Sequence, residues 1–303
     1  MKSGRISSYC VDCIWEKQER NISLVADSEM QKRYRREIEQ VVEGRNEEES
    51  VPALTAKLSL LQEKYLGATN VFGEIKEKYN RIMLNLEPEL WQEIENSEDP
   101  LARALSYARA GNFIDFGAMR EVDDSIMMEL IAMAPEVILP ADVYRDFLDD
   151  LENAERLVYL VDNCGEIVLD KLLIRAIHQS YPEIDITVIV RGAPVLNDAT
   201  MEDAVSVGLT SMKEIRVIPN GNRVAGTELR MLSEEASEAM HGADVIISKG
   251  QGNFETLHGC GLNIYYLFLC KCDWFSMNLG LPKLGGVFEN EKVLTVRWNA
   301  ETA

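Results

Sequence analysis

The sequence predicts an α/β protein, a three-layer α/β/α fold with a doubly wound, mainly parallel sheet and an added N-terminal helical subdomain. Two observations lead to this fold class. Before about residue 150, apolar residues recur every three or four positions, which is the period of amphipathic helices. After about residue 154, short and almost continuously apolar runs alternate with helical segments, as in parallel sheets covered on both faces. We therefore divide the chain into residues 1–150, a helical part, and residues 151–303, an α/β core.

Four helices are predicted in the helical part, over residues 28–44, 53–65, 71–86 and 100–112. Ser28 is the N-cap candidate of the first one, because a serine side chain can accept a hydrogen bond from the next turn. The acidic run 47–49 and the proline that follows at 52 separate the first two helices, and such a run is typical of a solvated loop.

Five strands are predicted in the core, over residues 156–162, 186–192, 215–221, 244–250 and 264–272. Helical patterns lie between them, at residues 166–179, 201–207 and 228–240. Strands that alternate with helices in this way are joined by crossovers, which makes neighbouring strands parallel.

Composition limits the partners. The formal net charge is −20, with 51 acidic against 31 basic residues, so the surface field repels a phosphate backbone and we expect no nucleic-acid partner. No apolar run approaches the roughly 20 residues that cross a bilayer, and the N-terminus lacks the apolar core of a signal peptide. We therefore expect a cytoplasmic protein with no membrane partner.

Polar or glycine residues follow the first four predicted strands. In open α/β sheets, ligands bind in the crevice beyond the carboxyl ends of the strands, so these residues are expected to converge. The strand ends carry Asp162 and Asn163, Arg191 and Gly192, Asn220 and Gly221, and Lys249 and Gly250.

Two of these ends suggest a metal site. Asp162 and Asn163 after the first strand, with Asn197 and Asp198 from the loop after the second, offer carboxylate and amide oxygens that suit Mg²⁺ or Mn²⁺. The alternative is helix capping, in which Asp198 caps the helix that begins near residue 201 and Asp162 or Asn163 caps the helix from residue 166. Spacing alone does not decide between the two.

Lys249 and Gly250 suggest a phosphate contact, because glycine lets backbone amides approach an anion and lysine supplies a point charge. A tight turn with a solvated lysine is the alternative. A metal held by carboxylates opposite a lysine describes a site for phosphoester hydrolysis by water. A mechanism with an aspartate nucleophile and a second acid two positions on is disfavoured, because that position is Cys164.

The cysteines suggest a second, structural site. Cys10 and Cys13 have the spacing of half a zinc site, and Cys270 and Cys272 could supply the other half if the N-terminus packs against the last predicted strand. In the alternative, Cys270 and Cys272 simply pack in a buried strand, and Cys10 and Cys13 lie on a mobile or helical N-terminus, since no spacing rule links such distant pairs.

Four motifs together resemble the damage-control phosphatase family, also known as domain of unknown function 89. They are "AGNFIDFG" at residues 110–117, "VDNCGEIVLDK", "RGAPVLNDATMEDA" and "SKGQGNFE". The CxxC near the N-terminus resembles the mostly prokaryotic branch of that family. The motifs span nearly the whole chain and are specific as a set.

The resemblance implies a metal-dependent phosphatase that acts on small phosphometabolites, with residues 1–150 covering the active-site crevice and residues 151–303 binding metal and phosphate. It implies that Asp162, Asn163 and Asp198 hold a divalent ion (Mn, Mg, Co or Ni) and that Lys249 faces the phosphate. The expected substrate-binding residues share the crevice and are Asn112, Asp115, Arg191, Asn197, Lys249 and Gly250.

Two other functions remain open at this point. One is a protein that binds a phosphometabolite or nucleotide without turning it over. The other is an S-adenosylmethionine-dependent carboxyl methyltransferase, which was proposed for one branch of the family, although no glycine-rich loop of the usual kind follows the first strand here. The substrate, the physiological metal and the oligomeric state are not predicted.

Overall fold

The computed structural model describes residues 6–67, 72–117 and 122–294. A six-stranded sheet has the order β3-β2-β1-β4-β5-β6. The first five strands are parallel, and β6 is antiparallel to β5. The strands are β1 (Arg156–Leu160), β2 (Asp185–Val190), β3 (Ile215–Pro219), β4 (Val245–Lys249), β5 (Ile264–Leu269) and β6 (Gly286–Asn290). The predicted fold class is confirmed, and β6 is an addition that the sequence analysis missed.

Seven α-helices precede the sheet in the described residues: α1 (Ser8–Ser23), α2 (Ser28–Glu43), α3 (Val51–Leu66), α4 (Gly73–Glu95), α5 (Pro100–Gly111), α6 (Asp124–Met133) and α7 (Ala141–Glu152). Four of them were predicted, whereas α1, α6 and α7 were not. The predicted cap of α2 is wrong by one residue, because Asp27 Oδ1 accepts the bond from the Met30 amide at 2.8 Å. The predicted end of α4 is also early, since the helix continues through Pro88 to Glu95.

The helices of the core are α8 (Glu166–Ser180), α9 (Met201–Ser206), α10 (Glu234–Gly242), α11 (Gln251–Leu257) and α12 (Asp273–Leu279). The predicted helix 228–240 begins later than expected, because Ser233 caps α10 by accepting a bond from the Ala236 amide. The tight turn with a solvated lysine is not found after β4, since α11 starts directly after Gly250 and Lys249 is fully buried.

Two apolar layers cover the sheet. On one face α4, α5 and α8 pack against alternate strand residues such as Tyr159 and Val188. On the other face, Phe254 of α11 and Phe275 of α12 pack against the intervening strand residues such as Tyr266. Helices α1, α2 and α3 form a smaller core of their own. The helical part therefore contains both a layer of the sandwich and a separate three-helix group. None of the described helices is long and apolar enough to cross a membrane.

The order of the strands positions the crevice. The chain moves outward from β1 to β2 and β3, and then returns to place β4 on the other side of β1. Ligands bind at this point of reversal in doubly wound sheets. The carboxyl ends of β1 and β4, where Asp162 and Gly250 follow, are therefore the expected location of a site.

Candidate active site

A short backbone ladder holds the residues that follow β1 and β2. Asn163 pairs with Asp198 in an isolated antiparallel bridge, and Arg191 pairs with Thr200 in a parallel one. The Ala199 amide donates to the Asp162 carbonyl at 2.8 Å. Residues directly opposite each other in an antiparallel pair place their side chains on the same face. The loop after β2 thus brings Asp198 beside Asn163, as the metal-site prediction requires.

Arg191 links the two aspartates. Its Nη2 donates to Asp162 Oδ1 at 3.2 Å and its Nε donates to Asp198 Oδ2 at 2.6 Å. The third contact of the guanidinium is Asn253 Oδ1 of α11, at 3.0 Å. All of these side chains are buried. The guanidinium of Arg191 thus fixes the positions of both carboxylates, and its predicted contact with the substrate stays a prediction.

The capping alternative does not describe this site. Thr200 is the N-cap of α9 and forms a capping box with Asp203, whose Oδ2 accepts a bond from the Thr200 amide at 2.9 Å. Gly165 is the N-cap of α8, with no side-chain capping bond. The carboxylates of Asp162 and Asp198 are therefore available for another purpose.

Glu166 and Asn112 complete the surroundings of Asp162. Asn112 Nδ2 donates to Asp162 Oδ2 at 3.2 Å and to Glu166 Oε1 at 3.0 Å. Asn163 Nδ2 donates to Asp162 Oδ2 at 2.7 Å and to Glu166 Oε2 at 2.9 Å. The amide oxygen of Asn112 accepts a bond from the Leu269 amide at the end of β5. Glu166 was missed by the sequence analysis, although it lies in the motif that contains Asp162.

Gly250 lets the Asp162 carboxylate approach the end of β4. A Cβ at position 250 would lie 1.9 Å from Asp162 Oδ2, and the backbone has a φ of +79° there. Both the space and the left-handed conformation require glycine. The prediction placed Gly250 at a phosphate, whereas its observed contact is with this carboxylate.

Lys249 lies at the base of the site and is fully buried. Its ammonium group donates to Glu166, to Asp170 Oδ1 at 2.7 Å and to the Ala108 carbonyl at 2.8 Å. Burial alone would lower the pKa of Lys249, but the charges of Asp170 and Glu166 outweigh it and the pKa is raised. Since an ammonium group has three N–H donors, a phosphate contact would require one of these bonds to be exchanged.

Asp115 and Asn197 occupy the rim of the site. Asp115 Oδ2 accepts a bond from Lys271 Nζ at 2.7 Å. Asn197 is fully buried, accepts a bond from the Phe116 amide at 3.0 Å and donates to the Ile114 carbonyl at 2.9 Å. Asn197 therefore holds the segment that follows α5, and its predicted contact with the substrate stays a prediction. Lys271 was not predicted.

The carboxylates at this site repel one another. Burial raises the pKa of Asp162 well above its ordinary value, and the charges of Asp198 and Glu166 add to the shift against the opposing charge of Arg191. Burial also raises the pKa of Asp198, to about 6, although Arg191 opposes it. A single guanidinium thus leaves the two aspartates incompletely neutralised.

The donor set fits a divalent cation. The buried side chains of the crevice include one more acid than base, the acids being Asp115, Asp162, Glu166, Asp170 and Asp198 and the bases Arg109, Arg191, Lys249 and Lys271. Within the described residues, neither Asn163 Oδ1 nor Asp198 Oδ1 accepts a hydrogen bond. Among residues 6–67, 72–117 and 122–294, no group of three or more His, Cys, Asp or Glu side chains is placed to hold a metal ion. A cation at this site would therefore need the amide oxygen of Asn163 as a ligand beside the two aspartates.

Cys10, Cys13, Cys270 and Cys272 do not form one metal-binding cluster among the described residues. Tyr9 of α1 stacks on Trp274, which brings Cys10 and Cys13 to the end of the molecule that holds Cys272. Cys270 is buried separately, with its Sγ 3.5 Å from Ser276 Oγ. All four are free thiols. The zinc site therefore stays a prediction, and it would require these thiols to move together.

Known proteins resemble this chain along most of its length. Residues 6–284 match the damage-control phosphatase ARMT1-like domain. The damage-control phosphatase PH1575 of Pyrococcus horikoshii is 28% identical over 282 residues, 92% of this chain and 96% of that protein. An uncharacterised protein of Methanocaldococcus jannaschii is 32% identical, over 92% of this chain and 93% of its own. A damage-control phosphatase of Archaeoglobus fulgidus is 29% identical, over 71% of this chain and 74% of its own.

One solved structure extends the comparison to the fold. The crystal structure of the Pyrococcus horikoshii protein, described as a DUF89 family protein, superposes with a TM-score of 0.77 at 27% identity. The match covers 94% of this chain and 99% of the other. The two proteins therefore share the overall fold.

Proposed function

Because this chain belongs to the damage-control phosphatase ARMT1-like family, we propose that it is a divalent-metal-dependent phosphoric monoester hydrolase acting on small phosphometabolites, such as sugar phosphates or related damaged phosphoesters. The family resemblance drawn from the four motifs is confirmed. Relatives named as phosphatases support the reaction class, and the metal and the substrates are our proposal.

One observation carries the proposal. Asp162, Asn163 and Asp198 meet at the point where the strand order reverses, and they are held there by the backbone bridge between residues 163 and 198. Neither aspartate caps a helix. Two buried carboxylates beside an amide oxygen have a clear use as oxygen ligands for a divalent cation.

The proposed metal ligands are Asp162, Asn163 and Asp198. A divalent ion held there would polarise a phosphoryl oxygen and lower the pKa of a water molecule. The chain itself fixes the ligands: Arg191 holds both carboxylates, Asn112 orients Asp162, and Gly250 provides the space that Asp162 occupies. Such prior positioning lowers the cost of ordering the site during the reaction.

Water is the proposed nucleophile. An aspartate nucleophile would need an acid two positions after Asp162, and that position holds Cys164. The Cys164 thiol is fully buried, and burial raises its pKa to about 12, so it is neither an acid nor a nucleophile near neutral pH. The side chains that surround the proposed metal are thus ligands and positioning groups.

The deciding experiment measures phosphate release from a panel of sugar phosphates and an aryl phosphate. Chelator-treated protein is resupplied in turn with Mg²⁺, Mn²⁺, Co²⁺ or Ni²⁺. We expect metal-dependent turnover that falls by orders of magnitude in Asp198→Ala. Asp185→Ala is the matched control, because Asp185 is exposed at the start of β2, at the opposite edge of the sheet.

Two other outcomes would replace the proposal. Saturable binding of a sugar phosphate without turnover in any metal would identify a binding protein. Transfer of a labelled methyl group from S-adenosylmethionine to a carboxylate, without phosphate release, would identify a methyltransferase.

A further inference from the structure

Arg109, near the end of α5, is a buried cation without a partner. It is 5% exposed, and its guanidinium makes no hydrogen bond or ion pair with any described residue. Burial lowers its pKa, and no neighbouring charge contributes to that shift. An arginine nevertheless keeps its proton at any physiological pH. The fold therefore holds a permanent charge in a place where nothing in the described chain neutralises it.

None of the Arg109 nitrogens is sealed from solvent, but a largely buried charge without a counter-charge still loses hydration that nothing replaces, so its retention needs a reason. The other buried cations of the crevice are all paired. Arg191 contacts Asp162 and Asp198, Lys249 contacts Glu166 and Asp170, and Lys271 contacts Asp115. Arg109 is the exception among these four.

The guanidinium of Arg109 packs against the backbone of β6 at Gly286. A Cβ at Gly286 would lie 2.9 Å from both Cδ and Nε of Arg109 and 3.0 Å from Cζ. Gly286 is the first residue of β6 and is itself exposed to solvent. Glycine therefore makes room for the side chain, and the guanidinium lies just below an opening to solvent.

The contact between Arg109 and Gly286 lies next to the proposed active site. Gly286 pairs with Leu269 at the carboxyl end of β5, so β6 begins at the same edge of the sheet as the crevice. The Leu269 amide donates to Asn112 Oδ1, and Asn112 Nδ2 donates to Asp162 Oδ2 at 3.2 Å. Arg109 precedes Asn112 by three residues, which is about one helical turn. One turn of α5 thus separates the unpaired guanidinium from a side chain that contacts a proposed metal ligand.

We propose that Arg109 binds an oxyanion of the substrate at the β6 side of the crevice. A guanidinium that is free of carboxylates presents a planar fork of N–H donors, which matches the oxygens of phosphate or carboxylate. In a chain with a net charge of −20, a local cation is also needed to hold an anion. The inference rests on the proposed function, and it adds a substrate-binding residue and an anion subsite to it.

The test compares wild type with Arg109→Gln and Arg109→Lys, and uses Arg145→Gln as the control. Arg145 is an exposed arginine of α7 that is paired with Asp142 and Asp146, so its substitution removes the same charge outside the crevice. Calorimetric titration with inorganic phosphate, in the presence of Mg²⁺, measures the anion site without any turnover.

We expect Arg109→Gln to weaken phosphate binding about ten- to a hundredfold, the range of hydrogen bonds to a charged group. Arg109→Lys should weaken phosphate binding less, because lysine keeps the positive charge although it lacks the planar set of N–H donors of the guanidinium group. With an aryl phosphate, KM should rise more than kcat falls. The thermal midpoint of Arg109→Gln should match or exceed that of wild type, because an unpaired buried charge has been removed.

The source of the oxyanion is resolved in the same experiment. Weaker binding of inorganic phosphate assigns Arg109 to the reacting phosphoryl group. Unchanged phosphate binding, with loss of a preference for substrates that carry a second phosphate or carboxylate, assigns it to that second group. The inference is wrong if Arg109→Gln and Arg145→Gln have the same phosphate affinity and the same preference for substrates with a second phosphate or carboxylate. It is also wrong if Arg109→Gln unfolds at a lower temperature than wild type.

The two proposals can fail separately. Wild type that binds phosphate through Arg109 but releases none from any substrate would overturn the phosphatase and keep the anion site. Wild type that hydrolyses phosphoesters, with a KM that does not change in Arg109→Gln for any substrate, including those that carry a second phosphate or carboxylate, would overturn the anion site alone.

Discussion

The Asp162 carboxylate lies so close to the Cα of Gly250 that a methyl group on this glycine would come within 1.9 Å of Asp162 Oδ2. Asp162 follows β1, and Gly250 follows β4. These strands are neighbours at the reversal of the strand order. The contact therefore couples the position of a proposed metal ligand to the end of the adjacent strand.

Gly250→Ala should displace the Asp162 carboxylate. We expect turnover to fall by about a hundredfold, as for a catalytic group misplaced by about 1 Å, and the affinity for Mn²⁺ to fall with it. Phosphate release and a metal titration by calorimetry measure both effects.

Gly259→Ala is the matched control for this substitution. Gly259 has a φ of +82°, close to the +79° of Gly250, but no atom lies within 4 Å of its Cβ position. The control thus carries only the backbone strain of a positive φ, roughly 1–3 kcal/mol. Equal losses of activity in the two variants would mean that strain, and not the contact with Asp162, causes the effect.

The convergence of these residues was predictable from the sequence because the fold class determines where strand ends meet. Apolar runs that stop at Asp162, Arg191 and Lys249 place these residues at one edge of a parallel sheet, whatever the details of packing. The same pattern could not show which charges pair. Arg191 and Lys249 contact carboxylates of the chain, which the sequence did not indicate, and their predicted contact with the substrate stays a prediction.

The misses have physical causes. Strand β6 is short, its first residue is exposed, and it joins the sheet antiparallel to β5, so it lacks the longer, continuously apolar run that marks the buried parallel strands. The capping alternative for Asp198 could have been rejected, because Thr200 and Asp203 have the spacing of a capping box. Glu166 could not be assigned, since a glutamate in the first turn of a helix is ordinary.

Lys249→Met should lower the free energy of unfolding by more than it lowers the free energy of substrate binding. The substitution leaves Glu166 and Asp170 buried without their cation, which we expect to cost about 3–5 kcal/mol in the free energy of unfolding. Adding Asp170→Asn should restore part of that loss, because burial raises the pKa of Asp170 to about 7 even with Lys249 present. Denaturant unfolding of the four proteins of this double-mutant cycle measures the coupling.

The opposite result would be equally informative. A Lys249→Met variant that keeps its stability and loses only phosphate affinity would show that the ammonium group turns towards the substrate, as predicted from the sequence.

Glu255→Gln should change how stability depends on pH. Burial, followed by the negative charge of Asp115, raises the pKa of Glu255 to about 8. In the unfolded chain a glutamate ionises near 4.3. As the pH rises from about 4 to about 8, the unfolded state releases this proton before the folded state does, so the carboxyl group increasingly destabilises the fold.

The gain in stability from Glu255→Gln should therefore be absent near pH 4 and reach a few kcal/mol by about pH 8. Thermal unfolding across this range measures it, with the exposed Glu98 substituted in the same way as the control. A gain that stays constant with pH would argue that Glu255 is already ionised in the folded protein.

Arg191→Gln should make the fold depend on metal. The guanidinium contacts both Asp162 and Asp198, and its loss leaves two buried carboxylates side by side. In the presence of a chelator we expect the variant to lose about 3–5 kcal/mol of stability. A divalent ion that binds these carboxylates stabilises the folded state by mass action, so Mn²⁺ should raise the thermal midpoint of the variant more than that of wild type.

Arg216→Gln is the control, because Arg216 forms an exposed ion pair with Glu235 at 3.6 Å, and such pairs contribute little. If Arg191→Gln is as stable as wild type under chelation and responds no more strongly to Mn²⁺, the two aspartates are not the ligands of a cation.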